Sequence, residues 1–279
     1  MKLLRVGNHG NERPAALDKS GKIRDLSSQI KDLNPDSLNF ETISKLKNID
    51  LEQLPEILKT HRIGPCVSKP EKFIGIGLNY SAHAKETDAN APKEPIVFFK
   101  ANSSICGPYD DVCLPKDSSK SDWEVELGVI IGKQAKNISE DKSMDHIFGF
   151  CIVNDVSERE YQLERSSGQW DKGKAFDTFG PIGPYIVTKN EIKDVQNLNL
   201  NLSVNNKVMQ NGNTKNMIFN VNYIVSYLSN FMTLKPGDII TTGTPPGVGM
   251  GKKPQIFLKS GDKMELTIDG LGSQSQKVK

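Results

Sequence analysis

Short β-prone runs bounded by glycine, proline or asparagine recur along most of this chain. Eight of them lie beyond residue 70: KFIGIGLNY, PIVFFK, WEVELGVIIG, FGFCIVNDV, GPYIVT, LNLNLSVN, DIITTGT and DKMELTI. Runs of this length and composition are typical of strands. They do not alternate regularly with helices, which argues against a doubly wound parallel sheet. The pattern instead predicts an α+β fold, mostly β, in which a mixed, rolled sheet carries a few covering helices.

Helical patterns are few. They comprise SAHAKET (81–87), VSEREYQLERS (156–166) and NMIFNVNYIVSYLSNFMTL (216–234). In the third, apolar residues recur at helical spacing and stop before a Pro-Gly pair, which predicts a helix that ends there.

The N-terminal part has a different character. Residues 1–25 predict a hairpin whose strands are LLRVG and PAALD, followed by the turn DKSGK and the run IRDL. Residues 34–59 are polar and favour helix. The segment HRIGPCVSKPEK, with its prolines and glycine, is typical of a linker. We therefore predict a small N-terminal α/β module over residues 1–65 and a larger domain over residues 70–279.

Composition narrows the function classes. The 279 residues are 25% charged and 36% hydrophobic, as in ordinary soluble globular proteins. A formal net charge of +2, with scattered lysines, provides no basic field for nucleic acid, and no stretch approaches the ~20 apolar residues of a membrane span. The start MKLLRVGNHGNERP lacks an apolar signal region, so we expect a cytoplasmic protein with reduced thiols. The four cysteines show no CxxC spacing, which argues against a zinc site.

The run SDWEVELGVIIG (121–132) places two acids inside a strand pattern. Because successive side chains alternate between faces, Glu124, Glu126 and Gly128 share one face and apolar residues fill the other. Two close carboxylates repel each other unless a cation, a proton or water intervenes, and the glycine would leave room beside them. An edge strand with one wet face explains the same pattern equally well.

A third acid, Asp155, ends the apolar run FCIVNDV. Three carboxylates at adjacent strand ends would make an oxygen site for a hard divalent cation such as Mg²⁺. Taken alone, Asp155 is more simply explained as the N-cap of a following helix.

The segment GIGLNYSAHAKE (75–86) opens like a dinucleotide fingerprint, but Tyr80 stands where the third glycine belongs, and the expected acid on a second strand is missing. We therefore reject nucleotide binding.

On the helix that follows, His83 and Glu86 are three residues apart and share a face. A carboxylate that orients an imidazole makes a general base for water. The alternative is an ordinary surface His–Glu pair.

The segment 159–181 runs from a charged helix into a Ser-Ser-Gly loop, the composition of a closing lid. We place Lys174 inside, facing an anionic substrate. Arg159 and Gln162 lie one helical turn apart and could point to the same site. A solvated helix without function would have much the same sequence.

The segment DIITTGTPPGVGMG (238–251) breaks from a strand into a loop with two prolines and several glycines. Such a rigid loop can offer the Thr244 hydroxyl and backbone N–H groups to a carboxylate.

Taken together and in order, these blocks resemble the fumarylacetoacetate hydrolase family. The resemblance runs from about residue 70 onward and rests on GIGLNYSAHAKE, KEPIVFFK, DWEVELGVIIG, the strand end at Asp155, KGKAFDTFGPIGP, LSVN and DIITTGTPPGVGMG. The N-terminal MKLLRVG and DKSGKIRDLS and the final DGLGSQSQ look like one branch, the bacterial 2,4-diketo-3-deoxy-sugar-acid hydrolases of the L-rhamnonate and L-fuconate routes.

The resemblance implies a mixed β-sandwich roll and a homodimer. It implies Mg²⁺ or Mn²⁺ on Glu124, Glu126 and Asp155, a catalytic group of His83, Glu86 and Lys174, and substrate contacts from Tyr80, Arg159, Gln162 and Thr244.

The activity that the resemblance implies is metal-dependent hydrolysis of a C–C bond in a 2,4-diketo acid, which gives pyruvate and a second carboxylic acid such as lactate. The alternatives are oxaloacetate decarboxylation or a ureidoglycolate lyase-type reaction on the same metal site, and a non-catalytic dimeric binding protein of this fold. We expect a small-molecule diketo acid as the partner, and neither nucleic acid nor membrane.

Overall fold

The computed structural model describes residues 1–165 and 167–279, a part of the chain that is built mainly from strands. The strands are β1 (Lys2–Val6), β2 (Arg13–Leu17), β3 (Ile23–Asp25), β4 (Glu56–Ile57), β5 (Phe73–Gly77), β6 (Ile96–Phe99), β7 (Ile105–Cys106), β8 (Ser121–Asp122), β9 (Val125–Ile131), β10 (Ile147–Asn154), β11 (Ser157–Glu158), β12 (Gly180–Thr188), β13 (Asn199–Val204), β14 (Lys207–Asn213), β15 (Ile239–Thr241), β16 (Lys263–Ile268) and β17 (Gly272–Lys277). The α-helices are α1 (Phe40–Lys47), α2 (Ser81–Glu86), α3 (Ser143–His146), α4 (Asp171–Lys174) and α5 (Val221–Phe231). A π-helix covers Glu160–Glu164, and 3₁₀ turns cover Leu51–Gln53, Asn102–Ser104, Glu140–Lys142, Lys189–Glu191, Thr214–Asn216 and Gly249–Gly251.

Two sheets form a sandwich. The large sheet has the order β4-β3-β2-β1-β12-β10-β9-β15-β5-β6, and β7 also pairs with β12. It is mixed, because β15 runs parallel to β5 and β7 parallel to β12, while the other pairs are antiparallel. The antiparallel sheet β14-β13-β16-β17 packs against β9, β10 and β12. These observations confirm the predicted fold class, α+β and mostly β.

Strand β9 lies at the centre of the large sheet, between β10 and β15. Its residues Val125, Leu127 and Val129 face the core shared with the second sheet and α5, as the alternation predicts. The edge-strand interpretation is therefore wrong.

The acids beside β9 are buried rather than wet, at 4% exposure for Glu124 and 1% for Glu126. The room expected at Gly128 is also absent. A Cβ there would lie 2.7 Å from the Val153 side chain and 2.9 Å from Cys151 Sγ, so β10 fills that space.

The predicted helices are confirmed at α2 and α5. Helix α5 begins after Asn220, whose side chain accepts a hydrogen bond from the Tyr223 N–H, and it is shorter than the predicted segment. The helix predicted over residues 156–166 is wrong in its first part. Ser157 and Glu158 form β11, which pairs with β8, and the π-helix begins only at Glu160. Ser166 lies outside the described residues.

The N-terminal strands β1–β3 confirm the predicted hairpin. In the polar segment 34–59, the helix is limited to α1 and one 3₁₀ turn, and β4 pairs with β3. Strand β1 pairs with β12, so the N-terminal strands extend the large sheet. The division into two units at residues 65–70 stays a prediction. No helix among the described residues has the length and apolar character needed to cross a membrane.

Candidate metal and catalytic site

The pairing of β9 with β10 brings the three predicted acids together. Glu124 directly precedes β9, Glu126 lies within it, and Asp155 directly follows β10. The antiparallel register places Val153 opposite Glu126, and the Asp155 N–H donates to the Glu124 carbonyl oxygen at 2.9 Å. One carboxylate oxygen from each acid lies within 4.8 Å of the other two. Strand register therefore builds a compact, buried cluster of hard oxygen donors.

Lys174 bridges two of these acids. Its Nζ donates to Glu124 Oε2 and Asp155 Oδ2, both at 2.7 Å, and its side chain is 2% exposed. Burial alone would raise the pKa of Glu124, but the charges of Lys174 and Arg159 outweigh it and lower that pKa. Burial likewise would lower the pKa of Lys174, and Asp155 and Glu124 raise it instead. Glu124 and Lys174 thus stabilise each other in their ionised forms.

Asp155 does not cap a helix. Its carboxylate oxygens accept hydrogen bonds from Lys100, at 2.6 Å, and from Lys174, at 2.7 Å. The N-cap interpretation of this residue is wrong because two buried ammonium groups occupy the oxygens that a cap would use.

Glu126 has a different environment. Its Oε2 accepts hydrogen bonds from Thr241 Oγ1 at 2.5 Å and from the Gly243 N–H at 2.7 Å. No residue in the described chain donates to its Oε1. Burial, followed by the charges of Asp155 and Glu124, raises the pKa of Glu126 well above its usual value. A cation beside Glu126 would remove this repulsion.

Counted in their ionised forms, the charged side chains of the connected cluster do not balance. Four carboxylates face three cationic side chains: Asp122, Glu124, Glu126 and Asp155 against Lys100, Lys174 and Arg159. A divalent cation would change the net charge of this cluster from −1 to +1, which suits an anionic ligand. The all-oxygen donor set fits Mg²⁺ or Mn²⁺ better than a softer metal.

The predicted His–Glu pair is oriented and sheltered. His83 Nδ1 lies 2.8 Å from Glu86 Oε1, and the side chains are 6% and 18% exposed, so the surface-pair interpretation is wrong. The Gly247 N–H also donates to both Glu86 oxygens, at 2.8 and 2.9 Å. This arrangement fixes Glu86 and leaves the other imidazole nitrogen, Nε2, for a water or substrate.

Arg159 and Gln162 are buried at 4% and 3% exposure, which contradicts a solvated helix at these positions. Arg159 Nε donates to Asp122 Oδ2 at 2.9 Å, its Nη1 donates to Gln162 Oε1 at 2.9 Å, and its Nη2 lies 2.7 Å from Glu124 Oε1. The guanidinium therefore joins the π-helix to the carboxylate cluster.

The loop after β15 uses its N–H groups within the protein. Those of Gly243, Gly247, Gly249 and Met250 donate to the carboxylates of Glu126, Glu86 and Asp122. These four N–H groups are therefore occupied within the protein, and the expectation that the loop serves a substrate carboxylate stays a prediction for its other groups. The Thr244 hydroxyl donates to the Val125 carbonyl oxygen at 3.0 Å and accepts from Gln210 Nε2 at 2.7 Å.

A cavity of about 120 Å³ opens beside the carboxylates. Seven of the ten predicted site residues line it: His83, Glu124, Glu126, Arg159, Gln162, Lys174 and Thr244. Asp155 and Glu86 stand behind this lining and contact Lys174 and His83. Tyr80 is not part of the lining. Its hydroxyl is buried without a partner among the described residues, and burial, with the charge of Glu126, raises its pKa.

Sequence reasoning missed two charged members of the cluster. Lys100 is 3% exposed, and its Nζ donates to Asp155 Oδ1 and to the Lys174 carbonyl oxygen, both at 2.6 Å. Asp122 orients Arg159 and receives the loop N–H groups. The sequence contained an indication of both residues. Lys100 follows an apolar strand, as Asp155 does, and Asp122 lies within the same acidic block as Glu124.

Comparison with known proteins shows the family of this chain. The family model described as fumarylacetoacetate (FAA) hydrolase C-terminal matches residues 72–279. A Burkholderia ambifaria protein named as a hydrolase is 56% identical over 280 residues, which cover 100% of this chain and 99% of that protein.

Three solved structures share the fold over 100% of this chain. The fumarylacetoacetate hydrolase of Exiguobacterium antarcticum is 35% identical, with a TM-score of 0.87 and 99% of its chain covered. The maleylpyruvate hydrolase of Sphingobium sp. SYK-6, in complex with a manganese(II) ion and pyruvate, is 29% identical, with a TM-score of 0.83 and 98% covered. The 5-carboxymethyl-2-hydroxymuconate delta-isomerase of Mycobacterium smegmatis is 30% identical, with a TM-score of 0.78 and 98% covered.

Proposed function

Because the chain belongs to the fumarylacetoacetate hydrolase family, we propose that it is a metal-dependent hydrolase of 2,4-diketo acids. The reaction breaks a C–C bond and yields pyruvate and a second carboxylic acid. The observation that carries the proposal is the buried triad Glu124, Glu126 and Asp155 beside Lys174 and the His83–Glu86 pair. Whether the group on C4 of the substrate derives from a sugar acid depends on the cavity residues that would contact that group.

The triad would hold Mg²⁺ or Mn²⁺. The similar maleylpyruvate hydrolase, solved with manganese(II) and pyruvate, supports both the metal class and the pyruvyl half of the substrate. When bound, the cation supplies Lewis-acid polarisation of substrate oxygens. Arg159 and Lys174 add positive charge on the same side of the cavity, where a substrate carboxylate would be bound.

His83 acts as the general base. Glu86, at 2.8 Å from Nδ1, fixes the ring so that Nε2 accepts a proton from water as the water oxygen forms a bond to C4. The C3–C4 bond then breaks, and its electron pair passes to the pyruvate enolate. The Lys174 ammonium stabilises this developing negative charge, and the proton carried by His83 goes to C3. One water is consumed, and two carboxylic acids form.

The test is pyruvate release from 2,4-dioxopentanoate, compared with pyruvate release from oxaloacetate, in wild type and His83→Ala. Hydrolysis needs an attacking water, so His83→Ala should lower its kcat about a hundredfold or more. Decarboxylation of oxaloacetate needs no water and should survive at least in part. Equal hydrolysis by the two proteins would contradict the role of His83, and turnover of oxaloacetate alone would favour the decarboxylase.

A further inference from the structure

Asp122 is a fully buried carboxylate behind the cavity lining, and it contacts two residues that line the cavity, Arg159 and Met250. Its Oδ2 accepts from Arg159 Nε at 2.9 Å and from the Met250 N–H at 3.0 Å. Its Oδ1 accepts from the Gly249 N–H at 2.7 Å and from the Trp123 N–H at 2.9 Å. All four partners are N–H donors, so both oxygens must be acceptors. An asparagine here would turn an NH2 group toward two of these donors.

The contact with Asp122 fixes the orientation of the Arg159 guanidinium. Asp122 accepts from Nε, and Gln162 Oε1 accepts from Nη1 at 2.9 Å. Nη2 lies 2.9 Å from Asp122 Oδ2 and 2.7 Å from Glu124 Oε1, but its N–H bonds are not directed at any acceptor among the described residues. A buried cationic donor of this kind, on a residue that lines the cavity, is suited to an anionic ligand.

Asp122 also fastens the loop after β15. Gly249 lies directly against it, since a Cβ at this glycine would be 2.8 Å from Asp122 Oδ1. Two residues earlier, the Gly247 N–H donates to both oxygens of Glu86. The short segment 247–250 therefore joins Asp122 to the carboxylate that orients the predicted catalytic histidine.

We propose that Asp122 is a positioning residue that aligns two parts of the active site at once. Through Arg159 it presents Nη2 to the carboxylate of the substrate. Through the loop it holds Glu86 in place behind His83. The proposal rests on the proposed function, because it assigns Arg159 to the anionic end of a 2,4-diketo acid.

The variant Asp122→Asn tests both tasks. We expect calorimetric titration of the Mn²⁺-loaded protein to show pyruvate binding weakened about tenfold or more, because Arg159 loses its orientation. We also expect kcat for 2,4-dioxopentanoate hydrolysis to fall about threefold or more, because the loop that holds Glu86 loses its anchor.

The matched control is Glu158→Gln. Glu158 is also fully buried, and it lies on β11, which pairs with the strand of Asp122. Within the described chain its side chain accepts from backbone N–H groups and a serine hydroxyl, among them the Tyr161 N–H of the π-helix at 2.8 Å, and not from Arg159. Loss of a buried carboxylate that does not orient Arg159 should leave pyruvate binding and kcat unchanged.

The variant Arg159→Lys tests the orientation while Asp122 stays intact. Lysine keeps the positive charge but lacks the planar fork that Asp122 holds at Nε, so pyruvate binding should again weaken about tenfold or more. In the double variant, pyruvate binding should be no weaker than in Arg159→Lys alone, because both changes remove the same contact. Its kcat should fall further, because the loop is then loosened as well.

The outcomes separate the two proposals. Wild-type pyruvate affinity in Asp122→Asn would overturn the proposal, as would additive losses in the double variant or an equal loss in Glu158→Gln. If Asp122→Asn does not fold, wild-type affinity in Arg159→Lys would overturn it. An unchanged kcat in Asp122→Asn would contradict the role of the loop.

Pyruvate binding by the wild type that weakens as expected in the variants, without hydrolysis of 2,4-dioxopentanoate, would support the positioning role and contradict the hydrolase. Hydrolysis by the wild type with unchanged pyruvate affinity in Asp122→Asn would support the hydrolase alone. An absence of pyruvate binding by the wild type would contradict the anion contact of Arg159 and with it the positioning role.

Discussion

At the scale of single residues, Glu86 holds both the catalytic histidine and the loop over the site. It contacts His83 Nδ1 at 2.8 Å and accepts the Gly247 N–H at both oxygens. Glutamine at this position would keep one acceptor oxygen, remove the charge that stabilises a protonated imidazole, and replace the second oxygen, which also accepts the Gly247 N–H, with an NH2 donor.

We predict that Glu86→Gln lowers kcat for diketo acid hydrolysis about tenfold to a hundredfold, with a smaller change in KM, because proton transfer depends on the basicity of His83. Steady-state pyruvate release measures this. The matched control is Glu94→Gln, because Glu94 is an exposed glutamate that accepts from the Tyr227 hydroxyl outside the cavity. Unchanged kcat in Glu86→Gln would contradict the base assignment.

At the scale of elements, strands with an apolar alternation were predictable and strands without one were not. Strand β17 has the sequence GSQSQK, and its inward positions are Gln274 and Gln276. Gln274 Nε2 donates to the carbonyl oxygens of Ile152 and Gly183. The buried side chains of β17 are therefore polar and hydrogen-bonded instead of apolar. For this reason the sequence of the strand shows no alternation of hydrophobic residues.

The site was predictable where its chemistry is local in sequence. Glu124 and Glu126 flank a single residue and Asp155 follows a strand, so the triad could be predicted from two short blocks. The hydrogen-bond partners were not predictable, because they join distant segments. The N–H groups of the loop after β15 bind Asp122 and Glu86, and the two glycines of β5 accept rings from elsewhere in the chain.

At the scale of the whole molecule, an ion-pair network joins the N-terminal strands to the larger part of the chain. Arg62 donates to Asp110 and to Glu12, and Arg5 contacts Glu12 and Asp32. Burial alone would raise the pKa of Glu12, but the hydrogen bond from Arg62 and the charge of Arg5 outweigh it and lower that pKa. The pairing of Glu12 therefore stabilises the fold above its ordinary pKa of 4.5, and this stability is lost as the pH falls through the lowered value.

We predict that Arg62→Gln lowers the free energy of unfolding by about 2 kcal/mol at pH 7, because it leaves partly buried Asp110 without its cationic partner and leaves Glu12 paired with Arg5 alone. The difference from wild type should shrink as the pH falls below 4.5, the ordinary pKa of Glu12, because the carboxylate loses the charge that Arg62 stabilises. Urea unfolding over this pH range measures both effects. Lys22→Gln is the control, since Lys22 pairs with Glu56 at the surface and its loss should cost less than about 1 kcal/mol. A difference that grows as the pH falls would contradict the assignment.

The central claim is that Glu124, Glu126 and Asp155 bind a divalent cation, and calorimetric titration with Mn²⁺ tests it most directly. Glu126→Gln keeps the shape of the side chain and removes the charge whose repulsion a cation would relieve. Glu158→Gln, a nearby buried glutamate outside the triad, is the control. We expect one Mn²⁺ per chain in wild type and in Glu158→Gln, and at least about a hundredfold weaker binding in Glu126→Gln, with thermal melts showing that all three proteins are folded. No binding by the wild type, or equal affinity in Glu126→Gln, would contradict the claim.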